Sequence, residues 1–262
     1  MVSTFGFVYI YSIMKAQYFA QTDVGRERKK NEDAFLLQEV WDGTHLLAVV
    51  ADGVGGYRGG DVASNLACKC IGEHVNGSPV SLDKAEILHA AVVYANNSII
   101  TQQKNPWLSQ MKTVLTAVLI DVEGGEMNVC HAGDTRLYML KDNVLSKITS
   151  DHSYVGPMEE SGELTEEQAM KHPKRNIITR CLGDSQLQMS TEEYLQTHTL
   201  QLKPCTLLLC SDGLYDMVHS TRTKAILSAQ ETVEERTSQL VQAALDAGGK
   251  DNITVCVIDI AQ

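Results

Sequence analysis

The sequence predicts an α+β domain in which antiparallel sheets are layered against helices. Three observations carry that expectation. Apolar, strand-like runs follow one another through tight turns at Gly124-Gly125 and Asp142-Asn143, which is hairpin connectivity. Two long helical patterns lie side by side in the chain, so strands and helices do not alternate as a doubly wound parallel sheet requires. No internal repeat, low-complexity tract or linker divides the 262 residues, a length that one large domain accommodates.

The elements follow in order. Residues 16–24 and 34–40 read as strands on either side of a charged turn, GRERKKNED. HLLAVVAD (45–52) is a short apolar run closed by turn residues, as a buried strand is. DVASNLACKCIGEHV (61–75) reads as a helix, and SLDKAEILHAAVVYANNSIITQQ (81–103) as a second with Ser81 or Asp83 as its N-cap. Ile87, Leu88, Ala91, Val92, Ala95 and Ile99 form the apolar stripe of that second helix. Strands then dominate at 115–121, 126–133, 135–142 and 143–149. Residues 150–175 are polar and weakly periodic, and are expected to be a mobile loop with one or two short helices. TLLLCSDG (206–213) is a strand, and 232–249 is a helix opened by the capping box Thr232…Glu235 and stopped at Gly248. ITVCVIDI (253–260) closes the chain as a strand.

Composition removes several classes of function. With 22 basic against 33 acidic residues the net charge is −11, so no nucleic-acid partner is expected, since a phosphate backbone needs a basic face. The seven cysteines are an odd number and sit mostly in strand-like runs, which suits buried thiols in a reducing, cytoplasmic setting better than a disulfide framework. No CxxC pair or histidine cluster offers a zinc site. FGFVYIYSIM (5–14) is shorter than the roughly 20 residues of a membrane span and lacks a signal-peptide leader and cleavage site. Residues 1–13 are therefore expected to be a dispensable extension of a single domain over 14–262.

The chemistry is concentrated in acidic residues at strand ends. HLLAVVAD ends on Asp52 and is followed by five glycines in eight positions, GVGGYRGG. The loop is not a P-loop, because no Gly-Lys-Ser/Thr follows, and it does not match GxGxxG. NVCHAGD (Asp134), TLLLCSDG (Asp212) and GGKDN (Asp251) share the grammar of Asp52, and Glu32-Asp33 opens another strand. One Asp-Gly by itself marks a turn. Several such acids without matching buried lysines or arginines repel one another unless cations neutralise them. All-oxygen ligands favour hard ions, magnesium or manganese, with Asp52 as the bridging ligand and the Gly53 carbonyl close to the ion. Among Arg26, Arg28, Lys29 and Lys30, one arginine is the candidate fork for a phosphate bound against the metals.

The motifs RxxNEDAF, ADGVGG, HAGDTRLY, SDHS, HPKRNIITR, CSDGLYD and KDNITV occur in the order and rough spacing of the protein phosphatase 2C family. The chain resembles its compact bacterial form over residues 18–260. That resemblance implies a four-layer α-β-β-α sandwich, two stacked antiparallel sheets flanked by helices, with a dinuclear Mn2+ or Mg2+ site at one rim. It implies a metal-dependent phosphatase acting on phosphoserine and phosphothreonine in proteins through metal-activated water. By resemblance Asp52 is the bridging ligand and Gly53 the carbonyl ligand. Asp212 and Asp251 match the distal aspartates, and Glu32 and Asp33 the first acidic pair, with Asp33 acting mostly through water. Asp134 and Asp212 match the holders of a third, weaker ion. Arg28 matches the phosphate-binding arginine and Arg26 does not. Residues 153–175 match a variable flap. A cognate serine/threonine kinase and a monomeric state are expected from the family's habit.

Three departures stand out. Val54 replaces the histidine of eukaryotic members. Lys112 and Val114 alter the M-G-T-T motif, with Lys112 expected to disturb a turn. Asp184 stands where a second glycine is common and is expected to be a surface change. His131 and His152 lie beside motifs and are weighed as catalytic groups against packed ones. The alternative reading is a catalytically weak, phosphatase-like regulatory protein that binds a phosphorylated partner.

Overall fold

The computed structural model describes residues 14–54, 59–188 and 194–261. The expected extension 1–13 and the centre of the glycine loop lie outside the described residues. The strands are β1 (Lys15–Asp23), β2 (Asp33–Val40), β3 (His45–Gly53), β4 (Thr113–Asp121), β5 (Glu126–Ala132), β6 (Arg136–Lys141), β7 (Val144–Lys147), β8 (Gln196–Gln201), β9 (Cys205–Cys210) and β10 (Ile253–Ala261). The helices are α1 (Gly60–Gly77), α2 (Lys84–Gln102), α3 (Gly156–Glu160), α4 (Glu166–Met170), α5 (Asp212–Tyr215), α6 (Ser220–Leu227) and α7 (Val233–Asp246).

The strands form two five-stranded sheets, in the orders β1-β10-β9-β6-β7 and β2-β3-β4-β5-β8. Every pairing is antiparallel. Helices cover the outer face of each sheet, which gives the four-layer α-β-β-α sandwich. The period-2 alternation of a strand shows how the layers are held. In β3, Leu47, Val49 and Ala51 pack outward against α1 and α2, while Leu46, Ala48 and Val50 pack inward against the other sheet. In β10, Ile253, Val255 and Val257 face outward toward α7, and Cys256, Ile258 and Ile260 face inward. Burial on both faces is why these strands read as unbroken apolar runs.

Local chemistry sets the connections. Asp142 and Asn143 both take positive φ, 49° and 59°, the two-residue hairpin conformation that matches strand twist. Asp83, not Ser81, caps α2 by accepting from the Glu86 amide. The Thr232…Glu235 capping box forms on α7 as expected. The edge strand β8 was not expected, because QTHTLQ carries too few apolar side chains to signal a strand; its residues alternate only between half-buried and exposed. Helix α6 was also missed. No described helix is long and apolar enough to cross a membrane.

Candidate active site

Two sheets end at the same rim, and the strand ends there carry the acids. Asp33 opens β2 and Asp52 lies near the end of β3, directly opposite it in register. Asp134 follows β5, Asp212 begins α5 just after β9, and Asp251 precedes β10. Two glycines allow the approach. A Cβ on Gly53 would sit 2.4 Å from the Gly60 backbone, where α1 begins. A Cβ on Gly213 would sit 2.0 Å from the Asn252 carbonyl oxygen, so only glycine after Asp212 lets the β9–α5 turn pack against the turn that carries Asp251.

These segments line a cavity of about 160 Å³. Glu32, Asp52, Asp134, Asp212 and Asp251 face it, and among the described residues Arg28 is its only cationic lining side chain. The backbone of Gly53 lines it as well. Asp33 does not. It is buried one layer deeper, where its Oδ2 accepts hydrogen bonds from Ser211 Oγ and Thr254 Oγ1, both at 2.7 Å. Arg28 Nη2 donates to Asp251 Oδ2 at 2.7 Å, whereas Arg26 turns away and donates through Nε to the Leu245 carbonyl. Of the cationic cluster, Arg28 is the arginine brought to the cavity.

The electrostatics of this cavity are unfavourable as they stand. Burial, then the charges of Asp33, Asp212 and Asp134, hold Asp52 well above the ordinary carboxylate range. Burial and the charges of Asp134, Asp216 and Asp251 do the same to Asp212. Burial pushes Asp33 up to about 6 against its two hydroxyl donors. Burial and the Asp151 charge push Asp134 up to about 7. Asp33 Oδ1 and Asp212 Oδ1 are buried without a hydrogen-bond partner among the described residues. Crowded, desolvated carboxylates with orphaned oxygens are the donor set that a hard divalent cation satisfies.

Among the described residues no three His, Cys, Asp or Glu side chains close on one point as a finished coordination shell. That is compatible with Mg2+-type binding, in which one or two carboxylates per ion suffice and water completes the octahedron. The acids line one pocket, and their all-oxygen chemistry suits hard divalent cations.

A model of the protein phosphatase 2C family matches residues 22–247. The chain belongs to the protein phosphatase 2C family. It is 35% identical over 244 residues to the serine/threonine phosphatase stp of Listeria monocytogenes, covering 91% of this chain and 94% of that protein. It is 36% identical over 249 residues to the serine/threonine protein phosphatase PstP of Mycobacterium tuberculosis, covering 93% of this chain and 45% of PstP. Among solved structures, the PstP catalytic domain in complex with two manganese ions has a TM-score of 0.81 at 32% identity, over 95% of this chain and 100% of that one. Staphylococcus aureus Stp1 has a TM-score of 0.83 at 29% identity, over 99% and 100%.

The segment 153–175, expected to be a flap, is anchored by residues that sequence reasoning passed over. Arg136, from HAGDTRLY, donates to Asp151 Oδ2 at 2.6 Å and to Glu159 Oε2 on α3 at 2.8 Å, with its guanidinium 3.7 Å from the centre of the Tyr215 ring. Arg175 Nε donates to Asp216 Oδ2 at 2.8 Å, and Ser220 donates through N and Oγ to Glu166 on α4. Asn176 and Ile178, just past that segment, line the cavity. Asn252 also went unnoticed; its Oδ1 accepts from the Glu32 amide, and its Nδ2 donates to the Val24 and Lys30 carbonyls. The quoted motifs contained Arg136, Asp216 and Asn252, but as neighbours of the acids they carried no separate signal.

His131 and His152 do not line the cavity. Burial pushes His131 down to about 4 and His152 down to about 3, so both are neutral at pH 7. His152 Nδ1 accepts from the Gly133 amide, and His131 shares a hydrogen bond with Thr116. Both are packed groups. Lys112 and Asp184, expected to be a disturbed turn and a surface change, are instead half-buried and joined to each other.

Proposed function

We propose that this chain hydrolyses phosphoserine and phosphothreonine monoesters in proteins, using two Mn2+ or Mg2+ ions held at the carboxylate cavity. Asp52 and the Gly53 carbonyl, with Asp212 and Asp251, are its ligands; Glu32 lines the same wall and Asp33 acts from behind it through water. Asp134 and Asp212 are the holders of a third, weaker ion. The single observation that carries this reading is the convergence of five carboxylates on one small cavity beside Arg28.

When bound, the divalent cations supply Lewis acidity toward the phosphoryl group and activate water for in-line attack. Arg28 offers its fork to the equatorial phosphoryl oxygens, exchanging the Asp251 carboxylate for the phosphate. Asp33, held by Ser211 and Thr254, fixes the start of β2 against Asp52. Among the described residues no Ser, Thr, Cys or His side chain lines the cavity, so no phosphoenzyme is expected on such a group. Val54 lines the cavity where a histidine acid would stand, and protonation of the leaving alkoxide falls to water. The substrates are phosphoproteins, and a serine/threonine kinase of the same cell is the natural source of them. The free, mostly buried cysteines suit a reducing cytoplasm.

The test is the hydrolysis of p-nitrophenyl phosphate and of a phosphothreonine peptide after treatment with EDTA, with and without added Mn2+. The expected result is loss of turnover with EDTA and recovery with Mn2+. Turnover that survives EDTA, or fails to appear with Mn2+, would overturn the proposal.

A further inference from the structure

Lys112 and Asp184 lie 72 residues apart, yet Lys112 Nζ donates to Asp184 Oδ2 at 3.1 Å. Their side chains are 30% and 26% exposed, so the pair is less screened than one standing in open solvent. What the pair joins is the support of the cavity floor. The Lys112 carbonyl accepts from the Val54 amide at 3.0 Å. Thr113 stands opposite Gly53 in register, and its Oγ1 donates to the Asp52 carbonyl at 2.7 Å. Residues 112 and 113 therefore hold the backbone of Asp52, Gly53 and Val54 at successive points.

Asp184 ends a segment that grips the same strand from its other side. Thr113 and Leu182 exchange both backbone hydrogen bonds, at 3.2 and 2.7 Å. Gln103 Nε2 donates to the Met111 and Gly183 carbonyls, and Asn96 Oδ1 accepts from the Gly183 amide. Asp184 Oδ1 also accepts from the Gln186 amide. With glycine at either position the segment would keep the Thr113–Leu182 main-chain bonds and the Gln103 bridge but lose its direct link to Lys112. The ion pair adds a side-chain link at the point nearest the Val54 bond.

We propose that Lys112 and Asp184 form a positioning clamp, which locks the 182–184 segment against the start of β4 and thereby fixes the Asp52 and Gly53 oxygens toward the cations. The clamp rests on the metal reading given above. Neither residue lines the cavity, so both act through the backbone of Thr113 and Val54.

The test is a double-mutant cycle on the full chain with Lys112→Met and Asp184→Asn. The first keeps the aliphatic stem, and the second keeps the acceptor for Gln186. Mn2+ binding is read by calorimetry and stability by urea midpoint. Each single variant is expected to weaken Mn2+ binding about tenfold, equivalent to ~1.4 kcal/mol, the double variant is expected to be no worse than either single, and Lys112→Arg to keep most of the affinity. Wild-type affinity in both singles, or losses that simply add in the double variant, would overturn the clamp while leaving the metal reading intact. A lowered urea midpoint with unchanged Mn2+ affinity would also overturn it, because that is what a purely structural pair would show. Failure of the wild-type protein to bind Mn2+ would remove the metal reading, and the clamp with it.

Discussion

Asp33 and Asp52 stand directly opposite one another across the antiparallel pair β2–β3, Asp33 buried behind the cavity wall and Asp52 half-buried on it. Like charges placed opposite in a sheet destabilise it, and burial sharpens the effect. The fold therefore carries a repulsion that a divalent cation, or a proton, relieves.

Asp52→Asn should accordingly abolish turnover of p-nitrophenyl phosphate while raising the metal-free melting temperature. Relief of one cross-strand repulsion is about 1 kcal/mol, or roughly 2–4 °C for a chain of this size. Asp212→Asn should also abolish turnover, since Asp212 is held raised by burial and four other acids. Turnover measured beside thermal unfolding in EDTA checks both; full activity in either variant would end the ligand assignment.

The acids give the metal-free protein a pH dependence of known sign. Asp134 is pushed from an ordinary 3.8 up to about 7 in the folded state. Between those values the folded form holds a proton that the unfolded form has lost. Stability from this group is thus fully present below the unfolded pKa and is lost as pH rises toward about 7. Asp134→Asn removes the effect and leaves the neutral histidines in place, so they cancel in the comparison. Urea midpoints in EDTA at pH 5 and pH 7.5 should show the wild type losing more stability than the variant; equal losses would contradict the assignment.

Arg28→Ala should raise KM for a phosphopeptide by about tenfold, the worth of a charge-assisted fork of ~1.4 kcal/mol or more, with a smaller change in kcat. Arg26→Ala should leave KM unchanged, because Arg26 points to the Leu245 carbonyl and the Asp246 carboxylate. Steady-state kinetics at saturating Mn2+ distinguish them. A larger effect at Arg26 would show that the wrong arginine faces the phosphate.

Arg136→Ala should be among the most destabilising single changes in the chain. It leaves the Asp151 side chain, only 2% exposed, without its main cation, and leaves Glu159 on α3 with Lys147 at 3.5 Å. Removing one partner of a buried pair costs about 3–5 kcal/mol, and Lys147 at 3.4 Å from Asp151 places the expectation near the lower figure. Denaturant unfolding checks the size of the loss. Hydrogen exchange over residues 153–175 should show this segment opening more than the sheets.

Much of this molecule is written in local pattern. β3, β4, β9 and β10 are unbroken apolar runs because both of their faces are covered, and α2 and α7 announce themselves through a capping aspartate and a capping box. The acids at strand ends were legible for the same reason, since a carboxylate closing a buried run is too costly to stand without purpose. β8 escaped because an edge strand needs only half of each residue covered, and QTHTLQ satisfies that with polar side chains. Asp33 was placed among the acids, but its recess behind the cavity, held by Ser211 and Thr254, depends on residues about 180 and 220 positions away along the chain. Arg28 and Arg26 are two residues apart and alike in composition, and only the path of the turn sends one to Asp251 and the other to Leu245. Lys112 and Asp184 read as two unrelated irregularities until folding brought them within a hydrogen bond. The sequence by itself determined the apolar strands, the long helices and the identity of the acids, because short-range periodicity and the cost of burying charge act residue by residue. Apart from what the family resemblance implied for the acids and Arg28, which side chains meet and what braces the wall were decided by the tertiary structure, because those contacts join segments whose spacing along the chain carries no information about their spacing in the fold.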